Sequence, residues 1–195
     1  MNLRELFFDA FALRVQPSAD RLMRPTDGRH ESDRLRELLA TRRSTELTDY
    51  ELRTVVEGNL WLLTSEAFLY FLPAFLSASL ERYDAVSVFA SELLGALTEP
   101  SRGDVVEALD RLARPPSALG LPVDMVESLR EQQLEWFDSG DPAAIFHERF
   151  DGVTRAEGAA ILAFLVAFQQ AHGADFPFDE IKTAIDRYWA RYGDP

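Results

Sequence analysis

Five acids recur along one segment: Asp124, Glu127, Glu131, Glu135 and Asp138, at spacings of 3, 4, 4 and 3. At about 100° per residue they fall within one narrow stripe of an α-helix. Arg130 is the one cation of this helix and sits off the stripe, while Val126, Leu129, Gln133 and Phe137 lie on the opposite side. Like charges four residues apart repel by roughly 0.2–0.5 kcal/mol each, so the pattern weakens the helix that carries it. The preceding segment differs, because Glu107–Arg111 and Asp110–Arg114 are opposite charges at i,i+4. An uncompensated acidic ridge is a dock for a basic partner. Its other reading is a solvated face that keeps the protein in solution.

A second constellation gathers Trp61, Glu66, Phe68, Tyr70, Phe71 and Phe75. Glu66 and Tyr70 are four apart and share a helical face. One reading is an aromatic ligand pocket with an acid tuned by a phenol. The other is a first-turn glutamate favoured by the helix dipole, above rings packed in a core.

Other chemistry is thinly represented. The histidines are His30, His147 and His172, and none forms a His-x-x-x-His pair. Asp27 with His30, and His172 with Asp175, have i,i+3 spacing but fall in expected loops. Metal sites need three or four converging ligands, so no metal is expected. The absence of cysteine removes thiol nucleophiles, disulfides and cysteine-based zinc sites. There is no Gly-x-Ser-x-Gly and no glycine-rich phosphate loop, so neither a catalytic residue nor a cofactor is predicted.

The net charge of −13 is concentrated centrally: residues 100–153 hold 11 acids against 5 arginines, whereas residues 1–57 hold 11 acids against 10. Such a field repels nucleic acid, unless the protein imitates one, and repels anionic lipid; it attracts basic proteins. The cations are 19 arginines and Lys182, a codon-usage signature of a GC-rich genome. The longest apolar run in 61–80 is Ala67–Leu76, interrupted only by the Tyr70 hydroxyl and far short of the roughly 20 residues a spanning helix needs. The opening residues carry Glu5 and Asp9 and lack a small-residue cleavage site, so they do not read as a signal peptide. A cytoplasmic protein off the membrane is expected.

The elements that would position these residues read almost throughout as helices. Asn2 with Glu5, Thr48 with Glu51, Asp124 with Glu127 and Thr154 with Glu157 are capping boxes, and Thr64 and Ser32 are further N-caps. Gly58 marks a C-terminal stop. Leu3, Leu6, Phe7, Ala10 and Phe11 follow helical spacing, as do Val86, Phe89, Ala90, Leu93, Leu94 and Leu97. Ile161–Phe168 is apolar on all sides and predicts a buried central helix. Only Asn59–Leu63 looks extended. Pro73 interrupts 61–80, removing the N–H that would bond the Leu69 carbonyl, so the helix either kinks there or restarts. The prediction is one all-α domain over 1–195, with eight to ten helices, a kinked helix at Pro73, an internal linker at 114–122 and a C-terminal helix over 179–192.

The stretch "LTSEAFLYFLPAFL" resembles the signature of a bacterial helical family of unknown function, Leu-Thr-x-Glu-Ala-Phe-x-Tyr-Phe-Leu-Pro-Ala-x-Leu. The matching residues are Leu63, Thr64, Glu66, Ala67, Phe68, Tyr70, Phe71, Leu72, Pro73, Ala74 and Leu76. "FDGVTRAEGAAILAFL" is similar to that family's C-terminal segment, with Val153 and Glu157 where Leu and Gln are usual. The resemblance covers roughly residues 1–170. It implies a helical fold and no activity.

Acidity, helicity and the want of a catalytic motif are the marks of a non-enzymatic binding protein. An immunity protein or antitoxin that neutralises a basic partner is the expectation, with Asp124, Glu127, Glu131, Glu135 and Asp138 as its docking residues. The alternative is an enzyme or apolar-ligand binder with its pocket around 61–75.

Overall fold

The computed structural model describes residues 2–25, 30–112 and 123–193. Among them are ten α-helices and no named strand: α1 Leu3–Ala10, α2 His30–Thr41, α3 Asp49–Glu51, α4 Ser65–Glu81, α5 Tyr83–Leu97, α6 Arg102–Leu112, α7 Val123–Asp138, α8 Asp141–Phe150, α9 Arg155–His172 and α10 Glu180–Arg187. They form two compact units. One comprises residues 1–98 and 149–195, and the other comprises 99–148. The expected linker at 114–122 falls almost wholly outside the described residues.

The first unit is built around α4. Twelve of its seventeen residues are buried, from Ala67 to Ser79. Thr64 caps it, its hydroxyl accepting from the Ala67 N–H at 3.2 Å and donating to the Arg21 carbonyl at 2.7 Å. Helices α1, α5 and α9 pack on α4, and α10 joins α5 and α9. Phenylalanines knit these helices together. Phe7 meets Phe164 edge-on at 6.2 Å, Phe75 meets Phe68 and Phe89 at 6.2 and 5.4 Å, and Phe164 stacks on Phe168 at 5.2 Å. Such pairs add about 0.5–1.5 kcal/mol each beyond the area they bury.

Pro73 lies inside one unbroken helix and does not restart a second. The backbone leaves helical angles later, at Arg82 (φ −134°, ψ 34°) and again at Val86 (φ −133°, ψ 28°). Three further expectations are corrected. Ser32 falls within α2, which begins at His30. Asn59–Leu63 is not extended: Leu60–Leu62 forms a 3-10 turn, and only Leu63 makes a lone antiparallel bridge, to Met23. The C-terminal helix ends at Arg187, where Tyr188 (φ −132°, ψ −48°) breaks it ahead of a 3-10 turn over Trp189–Tyr192.

Helix α9 is not buried on all sides. Ala160, Ile161, Phe164, Leu165 and Phe168 face the core, but Val166 is exposed. Two contacts anchor this part of the chain. Glu157, capping α9 through Thr154, also accepts from Arg14 Nε at 2.6 Å and Nη2 at 2.8 Å. Trp189 is fully buried and its indole N–H donates to the Leu97 carbonyl at 2.7 Å. Gly158 lies against the Tyr192 ring so closely that a Cβ there would overlap the ring carbons.

In the second unit α6 packs on α7. Arg102 holds Asp138 through two bonds, Nε to Oδ1 at 2.8 Å and Nη2 to Oδ2 at 3.2 Å. Arg130 reaches back to Asp110 at 2.6 Å.

Candidate functional site

Of the five carboxylates on the α7 stripe, three stand exposed and one is neutralised. Glu127, Glu131 and Glu135 are exposed, and no cation among the described residues pairs with them. Asp138 is different: the Arg102 guanidinium hydrogen-bonds it and holds its carboxyl below the ordinary aspartate value. The side chain of Asp124 lies outside the described residues. Arg130, which could have shielded the stripe, is committed to Asp110, and Arg111 lies 3.9 Å from Glu107. The Asp110–Arg114 pair expected at i,i+4 lies outside the described residues through Arg114. Three like charges, each about 6 Å along the axis from the next, therefore stand together in water.

The aromatic set of 61–75 does not converge on one space. Phe68, Phe71 and Phe75 are completely buried, and Phe71 stacks on Phe75 at 6.3 Å. Phe68 also carries the Arg149 guanidinium over its face at 4.6 Å. Tyr70 is half-buried and meets Phe71 edge-on at 4.9 Å. Trp61 is half exposed, its indole N–H donating to the Gly58 carbonyl at 3.2 Å. Glu66 pairs with Arg21 at 2.7 Å. The three phenylalanines are core, and a ligand among them would have to displace packed rings.

The histidines disperse. His147 Nε2 lies 3.2 Å from Glu99. His172 ends α9, where its ring stacks on Tyr83 at 3.9 Å and its Nδ1 lies 3.9 Å from Asp175. The Asp27–His30 pair lies outside the described residues through Asp27. Tyr83 and His172, with Asp49, Arg82 and Asp84, line an open depression of about 290 Å³ in the first unit. Within it Arg82 Nε lies 2.5 Å from Asp49. Burial pushes the Tyr83 phenol above its ordinary value, and the Asp175 charge adds to this, so the phenol stays protonated. Among the described residues no group of three His, Asp or Glu side chains could hold a metal ion. No helix there is long and apolar enough to cross a membrane.

The sequence did not point to Glu92, a half-buried acid. Glu92 accepts the N–H groups of Gly58 at 2.7 Å and Leu60 at 3.1 Å; burial lifts its carboxyl above the ordinary value despite these bonds. Like Glu157, it tethers backbone and is accounted for by structure. Met125 and Trp136 also went unread in the sequence; both stand about half exposed on α7.

Comparisons with protein-family models, with curated proteins and with solved structures find no match. The likeness of residues 63–76 to a bacterial helical signature therefore rests on those residues alone.

Proposed function

We propose that the protein is a non-enzymatic acidic binding protein that captures a basic protein partner on α7, in the manner of an immunity protein or antitoxin. The observation that carries this reading is the set Glu127, Glu131 and Glu135: exposed, on one face, and with no cation paired to them among the described residues. The segment 99–148 holds eleven acids against four arginines, so the field around α7 favours cations. Such a field speeds encounter with a basic surface and disfavours acidic competitors.

The test uses the wild type and the Glu127→Lys, Glu131→Lys, Glu135→Lys triple variant as baits in the native host. A partner retained by the wild type and lost from the variant is expected. Its association rate with the wild type should fall as salt rises, and the variant should associate slowly at every salt concentration. An immunity role further requires that the partner be toxic when expressed alone and harmless beside this protein. Equal association rates at low salt would remove the docking role and leave the three glutamates as a solvated face.

A further inference from the structure

One side chain fastens the turn that presents Trp61. Glu92 lies on α5 and reaches residues 58–60, where its Oε2 accepts the Gly58 N–H at 2.7 Å and its Oε1 the Leu60 N–H at 3.1 Å. Gly58 turns the chain at φ +78°, and its carbonyl accepts the Trp61 indole N–H at 3.2 Å. The turn follows the π-helical run Leu52–Val56, where the Glu57 N–H donates to the Leu52 carbonyl at 2.8 Å. Such runs are rare and are frequent at functional positions. Two charged groups face the carboxyl: Glu57 from the turn, and Arg149, whose Nη2 donates to the Leu60 carbonyl at 3.4 Å.

Both oxygens of Glu92 accept a backbone N–H, a role that suits only the carboxylate. In a protonated carboxyl one oxygen carries a hydrogen of its own, and two donors then meet. We infer that Glu92 is an acid-released latch, whose protonation frees the Gly58–Leu60 turn and moves Trp61. The direction follows from which arrangement holds the proton more tightly. Burial and the Glu57 charge push the carboxyl above its ordinary 4.5, while the two N–H bonds and Arg149 pull it down by less. When the turn lifts and Glu92 stays half-buried, the two bonds are lost and the burial remains. The released arrangement therefore binds the proton more tightly than the latched one, and falling pH favours release.

The test follows tryptophan emission of the full chain at micromolar concentration from neutral pH down to about pH 4. A Trp136→Phe background leaves Trp61 as the reporter, since Trp189 is fully buried. A single red shift with a midpoint above 4.5 is expected, with the far-ultraviolet circular dichroism unchanged across it. Glu92→Gln, which places an amide NH2 against one of the two donors, should abolish the step and show the red-shifted emission already at neutral pH. Glu57→Gln should keep the step and move its midpoint to lower pH, because a charge that raises the Glu92 carboxyl is gone. No step above 4.5, or a step that persists unchanged in Glu92→Gln, would overturn the latch. Should Glu92→Gln fail to fold, a midpoint that Glu57→Gln leaves unmoved would overturn it as well.

Discussion

Replacing Arg14 by Met keeps a stem of similar length and removes the guanidinium that holds Glu157. The Glu157 side chain is 4% exposed and that of Arg14 27%. Removing one partner of a buried pair costs about 3–5 kcal/mol, because the other charge stays buried. Arg14 is partly solvated, and water would replace some of what is lost, so about 2–3 kcal/mol is expected. For a chain of this length that corresponds to a melting temperature lower by about 4–12 °C. Glu157→Gln should be milder, about 1–2 kcal/mol, because an amide oxygen still caps the Thr154 N–H and the remaining cation lies on the wetter side. The order, Arg14→Met worse than Glu157→Gln, is the signature of a buried acid held by a more accessible base. Acid should then erase the difference. Burial pushes the Glu157 carboxyl upward, but the bonds from Arg14 and Thr154 and the Arg14 charge outweigh it, so its value lies below the ordinary 4.5. A depressed carboxyl stabilises the folded state fully above its unfolded value and loses that contribution as pH falls through its folded value. Without Arg14 burial dominates and raises the Glu157 carboxyl, so the gap between wild type and Arg14→Met should be full at neutral pH and close as pH falls and that carboxyl is protonated. Thermal denaturation followed by circular dichroism across that range is the assay. A variant melting within about 2 °C of wild type at neutral pH, or a gap that does not close in acid, would refute the reasoning.

Gly158→Ala should destabilise by about 1–3 kcal/mol although alanine favours helices, because its Cβ overlaps the Tyr192 ring; denaturation of the variant in a Tyr192→Ala background should recover most of the loss. Trp189→Phe should cost about 1–3 kcal/mol by leaving the Leu97 carbonyl without its donor, read as a lower denaturation midpoint. Pro73→Ala restores an N–H toward Leu69 in a helix that already accommodates the ring, so a rise in melting temperature below about 4 °C is expected, and a larger one would mean that the ring is strained. The triple lysine reversal on α7 buries no charge, and its melting temperature should stay close to wild type, since surface changes are usually within about 0.5 kcal/mol each.

What was legible in the sequence is what acts over a few residues. Asn2 with Glu5, Thr48 with Glu51 and Thr154 with Glu157 close their capping boxes, and Thr64 caps α4, since each joins a side chain to backbone three positions away. Gly58 ends its helix at φ +78°, a region that suits glycine. Spacing also placed Glu127, Glu131 and Glu135 on one exposed face. What escaped depends on distant partners. Glu157 reads as a cap, but its tie to Arg14 spans 143 residues. Asp138 reads as part of the ridge, but its neutralisation by Arg102 requires α6 to lie on α7. The π-helical turn at Leu52–Val56 has no breaker residue to announce it. Val166 sits in an apolar run, and only the packing of α9 decides which side meets water.

The first unit is made of two stretches separated by residues 99–148, and this governs the order of events on the ribosome. Phe7 and Phe11 emerge early, yet α9, against which α1 packs, emerges well over a hundred residues later. At a synthesis rate of about 5–20 residues per second, that interval is on the order of ten seconds. Trp189, which closes on Leu97, comes later still. During that time the apolar faces of α1, α4 and α5 have no complete core to enter. The first unit therefore completes its core only after residues 99–148 have been made. Slowing translation should not improve the yield of native protein.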